Sequence, residues 1–196
     1  MDKLFACAKS FEKLFDVNYH IIIGRKGKSV DIKIGFSPLD FHHLMGIHKL
    51  KDLRISRASR EDVFYNVLSG EILLSNLRAS RYYDKIKNRI EPFVDIEQVF
   101  DANRLVFRYN KKQQIYSIIE ADYLLSTPYI NTDIYFFIDK REGMDIYFCR
   151  SFFPKEQKDY TTGQAVYTML FKEKIILSTG EKQVQYDRLT PIDKGI

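Results

Sequence analysis

Cysteine is scarce in this chain: Cys7 and Cys149 are the only two among 196 residues. They stand far apart in apolar surroundings, and no CxxC pair occurs. That spacing excludes a zinc ribbon or a thioredoxin-type redox site. Two buried, reduced thiols of a cytosolic protein are the expected state, with one Cys7–Cys149 disulfide as the alternative. Long apolar runs are missing too. None approaches the ~18 residues of a membrane span, and residues 134–138 are typical of the longest. Asp2 and Lys3 precede only five small or apolar residues, too few for a secretory leader. The expectation is a soluble, cytoplasmic protein. Repeats, low-complexity tracts and Pro/Gly/Ser linkers are also absent, so residues 1–196 read as a single domain at ~100–200 residues per domain. A chain of this length buries ~70% of its unfolded surface and needs neither disulfide nor metal to fold. Its 45% hydrophobic and 29% charged residues are those of a globular protein.

The formal net charge is +5, from 31 basic and 26 acidic side chains. The excess is localised. Residues 49–89 hold ten basic and five acidic side chains, and the remainder balances at 21 against 21. One segment thus carries the whole imbalance, which points to a polyanionic partner. The alternative is a solvated helical face rich in Lys and Arg. Within the segment, Lys51, Arg54, Arg78 and Arg81 are the expected nucleic-acid contacts.

Residues 2–15 pattern as an amphipathic helix with Leu4, Phe5, Ala8, Phe11, Leu14 and Phe15 on one stripe. Two strands are expected at about 18–24 and 29–36, joined by the basic turn Gly24-Arg25-Lys26-Gly27-Lys28. Ser37, Pro38 and Asp40 signal a helix start by cap, first-turn proline and dipole. That helix is expected to carry residues 41–53. Ser59 and Asp62 start another, which stops at Gly70. Further helix is expected over 72–88 and 91–101. Five strands follow, at 104–109, 115–120, 133–139, 144–152 and 165–177, rich in Ile, Val, Phe and Tyr. Residues 178–196 read as an extended C-terminal tail. The class is α+β: N-terminal helices and a small hairpin packed with a C-terminal antiparallel β-sheet.

Three of the four histidines, His42, His43 and His48, fall within seven residues. On a continuous helix they do not converge, and the i,i+4 spacing of a helical zinc site is missing, so no metal is expected. His48 would pair with Asp52 at i,i+4. His43 lies at the border of the apolar stripe, where a half-buried histidine bonded to backbone is the bland alternative to a catalytic one. Residues 24–29 lack the four-residue spacing of a phosphate loop and lie between two strands; a basic hairpin tip able to touch a phosphate backbone is the better reading. Glu156-Gln157-Lys158 matches the E-x-K of metal nucleases only weakly. Glu120 and Asp122 fit a solvated strand face better than an acid/base pair. Arg150 to Pro154 and Asp159 to Gln164 bring an arginine, hydroxyls and an amide to one loop between strands, where scaffolds display functional groups; a Ser/Thr turn is the plain alternative.

The block FHHLMGIHKLKDL at 41–53, with Asn88-Arg89-Ile90, SFFP at 151–154 and DYTTGQ at 159–164, resembles a phage-associated group of the barnase/EndoU/colicin/RelE (BECR) nuclease superfamily. These blocks span about 41–164. The resemblance implies helices followed by a compact antiparallel sheet displaying the active site, and RNA cleavage without metal or cofactor. A base would take the ribose 2′-OH proton, an acid would protonate the leaving 5′-oxygen, and cations would stabilise the charged phosphorane. By this resemblance His43 is base or acid, Lys49 and Arg89 hold the phosphate, and Ser151, Tyr160 and Thr161 position or protonate. No second histidine outside 42–48 supplies the paired acid.

Two functions remain open on the sequence. One is a metal-independent endoribonuclease, toxin-like or phage-linked, with RNA and an inhibitor protein as partners. The other is a non-catalytic nucleic-acid- or protein-binding module with a nuclease-like fold.

Overall fold

A computed structural model describes residues 1–115, 117–140 and 142–191. The chain runs α1 (Lys3–Glu12), β1 (Val17–Arg25), β2 (Lys28–Ile34), α2 (Pro38–Leu44), α3 (Arg60–Leu68), α4 (Leu74–Arg78), α5 (Ile90–Val94) and α6 (Ile96–Asp101). It continues with β3 (Leu105–Arg108), β4 (Tyr123–Tyr129), β5 (Thr132–Lys140), β6 (Tyr147–Pro154), β7 (Ala165–Ile176) and β8 (Lys182–Asp187). The class is α+β, but the expected C-terminal sheet with a separate hairpin is corrected. Seven strands close in the order β1-β2-β6-β5-β4-β3-β7 and back to β1. The hairpin is therefore part of a barrel. Its closure is narrow: β2 meets β6 in parallel at Ile34 and Tyr147, extended by the Gly35 amide donating to the Tyr147 carbonyl at 3.1 Å.

Alternation explains β1. Tyr19, Ile21 and Ile23 are buried and the residues between them are not, the period-2 pattern of a strand with one covered face. The helices close the core from their side. Phe11 of α1 packs against Phe41, Phe64 and Phe93 at centroid distances of 5.6–6.4 Å, and Phe100 of α6 meets Tyr19 and Phe136 at 4.6 and 4.7 Å. Strands β3 to β6 are apolar on both faces. Their second face forms a smaller cluster of Phe107, Tyr109, Leu124, Tyr135 and Phe137, capped by Phe153 and Tyr160. Both cysteines are free and buried.

Several expected elements are redrawn. The helix over 72–88 is α4 followed by short 3-10 turns at Tyr83–Lys85 and Lys87–Arg89. The helix over 91–101 breaks at Asp95 into α5 and α6. The described residues of 115–120 form no strand; the next strand is β4. The C-terminal tail is not wholly frayed. Although polar and largely exposed, β8 pairs with β7 from Phe171↔Asp187 to Ile175↔Lys182, because main-chain hydrogen bonds need no apolar side chain. Residues 192–196 of that expected tail lie outside the described residues.

A cleft built on a broken helix

Ser37 caps α2 as expected: its amide donates to Asp40 Oδ2 at 2.9 Å, and the Asp40 amide donates to the Ser37 carbonyl at 3.0 Å. Phe41 and Leu44 are then fully buried, which turns His43 toward the opposite, open side. The helix stops at Leu44, and Gly46 takes a left-handed φ of 77°. This corrects the continuous helix over 41–53. A glycine just past the end is the ordinary left-handed cap, because it lacks the Cβ that makes this φ costly. Ile47 and Leu50 plunge back into the core, fully buried. The chain thus doubles back and lays His48 on His43, with ring centroids 4.1 Å apart and planes 9° from parallel. The expected His48–Asp52 pair does not form. Asp52 instead accepts from Ser80 Oγ and the Arg81 amide, at 2.5 and 3.0 Å. His42 is buried, with Nε2 3.3 Å from the Ile55 carbonyl oxygen.

The stacked pair lines a cleft of about 610 Å³ that it shares with Lys49, Lys85, Arg89, Arg150, Ser151 and Tyr160, and with Asn88, Glu156 and Lys158. Ile118, Ile119 and Phe153 supply its apolar wall. Five of the six expected catalytic residues therefore meet in one place. The exception is Thr161, which does not line the cleft. Its amide and hydroxyl both donate to Asp159 Oδ1, at 2.9 and 2.6 Å. Asp159 also accepts from Tyr135 and Lys155, so Thr161 shapes a loop. The expected nucleic-acid contacts Lys51, Arg54, Arg78 and Arg81 are exposed and lie outside the cleft lining. The basic segment 49–89 thus divides: Lys49, Lys85 and Arg89 face the cleft and those four do not.

Arg89 is 3% exposed. Its Nη1 donates to the carbonyls of Leu44 and Phe152, at 2.8 and 2.7 Å. It thereby ties the end of α2 to β6. Nε is buried without a partner, and Nη2 has no hydrogen-bond partner among the described residues. The end-on fork of Nη1 and Nη2 is not on offer, since Nη1 is already engaged, and Nε is buried, but the charge remains. Burial lowers the guanidinium to about 10, partly offset by nearby Glu156, so it stays protonated at neutral pH.

Burial and the surrounding cations act on the other groups in the same sense. His43 is lowered to about 4, by burial first and then by Arg60, His42, Arg89 and Arg150. His48 falls to about 3, by burial and then by His43, Lys49 and Arg89. Lys49 falls to about 8, by burial and then by Arg89, with Glu156 opposing. At neutral pH the cleft holds two neutral imidazoles beside an ammonium that loses its proton easily. Glu156 Oε1 accepts from Asn88 Nδ2 at 3.0 Å, so Glu156 is held in a hydrogen bond. Among the described residues, no three His, Cys, Asp or Glu side chains gather as a metal-ligand set. Glu120 and Asp122 pair with Lys111 and Arg108 on the surface. Straight-helix spacing could not reveal His48 as a cleft residue; a Gly two residues before it was the available signal.

A barrel capped by helices, with a cationic cleft around paired histidines, is an architecture suited to a polyanion. The family model described as phage-Barnase-EndoU-ColicinE5/D-RelE like nuclease4 matches residues 3–189. The chain belongs to that family, and so to the BECR-type nucleases. No curated protein and no solved structure matches it. Among the described residues no helix is long and apolar enough to cross a membrane.

Proposed function

We propose that the protein is a metal-independent endoribonuclease that cleaves RNA by transesterification in this cleft. The observation that carries the reading is the stacked His43–His48 pair in a cleft lined by Lys49, Lys85, Arg89 and Arg150. Neutral His43 takes the proton of a ribose 2′-OH. The 2′-oxygen attacks phosphorus, the bond from phosphorus to the 5′-oxygen breaks, and the Lys49 ammonium gives its proton to that oxygen. The products are a 2′,3′-cyclic phosphate and a 5′-hydroxyl. Positive charge moves from Lys49 to His43, and none is created. Lys49 fills the acid role that the histidines alone left empty. Arg89, and Arg150 although it is paired with Asp139 at 2.8 Å, supply positive charge where the phosphorane forms. His48 is a positioning residue: its neutral ring stacks on the imidazolium that His43 becomes. The apolar wall of Ile118, Ile119 and Phe153, with Tyr160, offers the nucleobase a surface away from the cations.

The test is end-labelled RNA in excess EDTA. Cleavage to cyclic-phosphate ends is expected, and a 2′-deoxy substitution at the cleaved position should block it. Binding without cleavage would sink the proposal and leave a binding module. The pH profile of kcat/KM, which reports groups of the free enzyme, gives a second check. Rate should rise as pH climbs through about 4, where His43 loses its proton and becomes a base. It should fall above about 8, where Lys49 loses the proton that it must donate. A profile rising continuously past pH 9 would remove Lys49 from the acid role.

A further inference from the structure

At the tip of the β1–β2 hairpin the chain presents a second cationic concavity that shares no residue with the histidine cleft. Its volume is about 510 Å³, and Arg25, Lys26, Lys28, Ser29 and Thr168 line it together with Arg188. No carboxylate is among the lining residues, and none of the four cations has an ion-pair partner among the described residues. The residues outside 49–89 are neutral in sum, yet the fold separates their charges. Asp31 is held by His20, at 3.0 Å, and Glu173 by His20 and Lys182, while the hairpin tip is left with four unneutralised cations.

The turn itself carries a second clue. Arg25 pairs with Lys28 across a two-residue loop, and both loop residues have positive φ, 50° at Lys26 and 75° at Gly27. That is the type I′ pattern, whose preferred sequence is Asn-Gly or Asp-Gly. A lysine is not the residue the fold would choose there, since a side chain beyond Asn or Asp in the left-handed region costs about 1–2 kcal/mol. Lys26 thus adds a charge to the tip at a cost in turn stability. Arg25 is steadied over the Tyr167 ring at 6.0 Å, and Arg188 is anchored by its amide to the Leu170 carbonyl at 2.8 Å. Two separate stretches of chain, the β1–β2 hairpin and the residue that follows β8, thus converge four cations on one hollow.

We infer that this hollow is a second, non-catalytic binding site for the phosphate backbone of single-stranded RNA, holding a longer substrate outside the cleft. The choice of RNA rests on the nuclease reading above, but the binding test does not depend on cleavage. The probe is fluorescein-labelled RNA in lengths from about 4 to about 24 nucleotides, a span that brackets known single-strand site sizes. Binding is measured by anisotropy at several salt concentrations, on protein carrying His43→Ala to prevent turnover. Affinity should step up at the length that reaches both sites. The variant Lys26→Asn/Lys28→Ser/Arg188→Ser should remove that step. It should also lower affinity for the longest RNA roughly tenfold at low salt and reduce the slope of log K against log salt by about 2, at ~0.7 for each lost single-strand phosphate contact.

Lys26→Asn alone suits the turn, so its Tm should hold or rise while RNA binding weakens; that separates charge from folding. With His43 intact, cleavage of a dinucleotide should be unaffected by the hairpin substitutions. Unchanged affinity and salt slope in both hairpin variants would overturn the inference. So would loss of binding to phosphatidylserine vesicles with RNA binding untouched. A protein that never cleaves RNA but loses affinity and slope in these variants would refute the nuclease reading and keep this site.

Discussion

Replacing His43 by alanine is expected to lower kcat/KM for RNA cleavage by ~10²–10⁴, the usual contribution of a positioned general base. KM should move little, because the cations that meet the phosphate are left in place. The acidic limb of the pH profile near 4 should disappear with the residue that produces it. His48→Ala should cost less and chiefly in kcat, since its ring supports the imidazolium and does not take the proton. His48→Phe, which keeps a stacking face and removes both nitrogens, should recover part of that loss. The double variant His43→Ala/His48→Ala should be scarcely worse than His43→Ala alone, because residues acting as one unit are non-additive. A cycle in which the two losses multiply in full would show independent roles, and the stacked geometry would then be incidental. A single-turnover assay at saturating RNA separates this from an effect on binding.

The division between what was legible and what was not follows from how local each signal is. The caps at Ser37 and Ser59 and the stop at Gly70 are spelled within a few residues and were readable. So was the alternation of β1. The barrel was not, since its closure rests on one parallel contact between β2 and β6, far apart in sequence, at Ile34 and Tyr147. β8 was hidden for the opposite reason: it is held by main-chain pairing to β7 and carries few buried side chains to mark it. Residues Ile115 and Ile118 misled in the other direction. They are apolar yet 74% and 89% exposed, on a loop. The His43, Lys49, Arg89, Ser151 and Tyr160 set was legible through the family-like blocks, while Thr161 came with the same block and faces Asp159 instead. His48 was missed because Ile47, Leu50 and Leu53 continue the helical period across Gly46, and periodicity outweighed a single glycine.

That glycine is the position on which cleft geometry depends most. An ideal Cβ at Gly46 would lie 2.9 Å from Ile86 Cγ2, 3.2 Å from Arg89 Nε and 3.3 Å from Arg89 Cζ. Both Ile86 and Arg89 are buried, and Arg89 is fixed by two carbonyls, so neither yields easily. Gly46→Ala therefore meets two penalties, positive φ on an L-residue and overpacking of a tight site. Together they should lower stability by about 2–4 kcal/mol. With ~5–15 kcal/mol available to a native domain the variant still folds, and urea denaturation can measure the loss. The cheapest relief is for the turn to open, which carries His48 off His43 and loosens Arg89 beneath it. Cleavage should then fall at least as far as in His48→Ala, although no cleft side chain has been altered. Gly46→Asn tolerates the φ better but still carries the Cβ. It should regain part of the stability and little of the activity. Wild-type stability in Gly46→Ala would show that Ile86 and Arg89 give way freely, and the broken helix could not then be what holds the two imidazoles together.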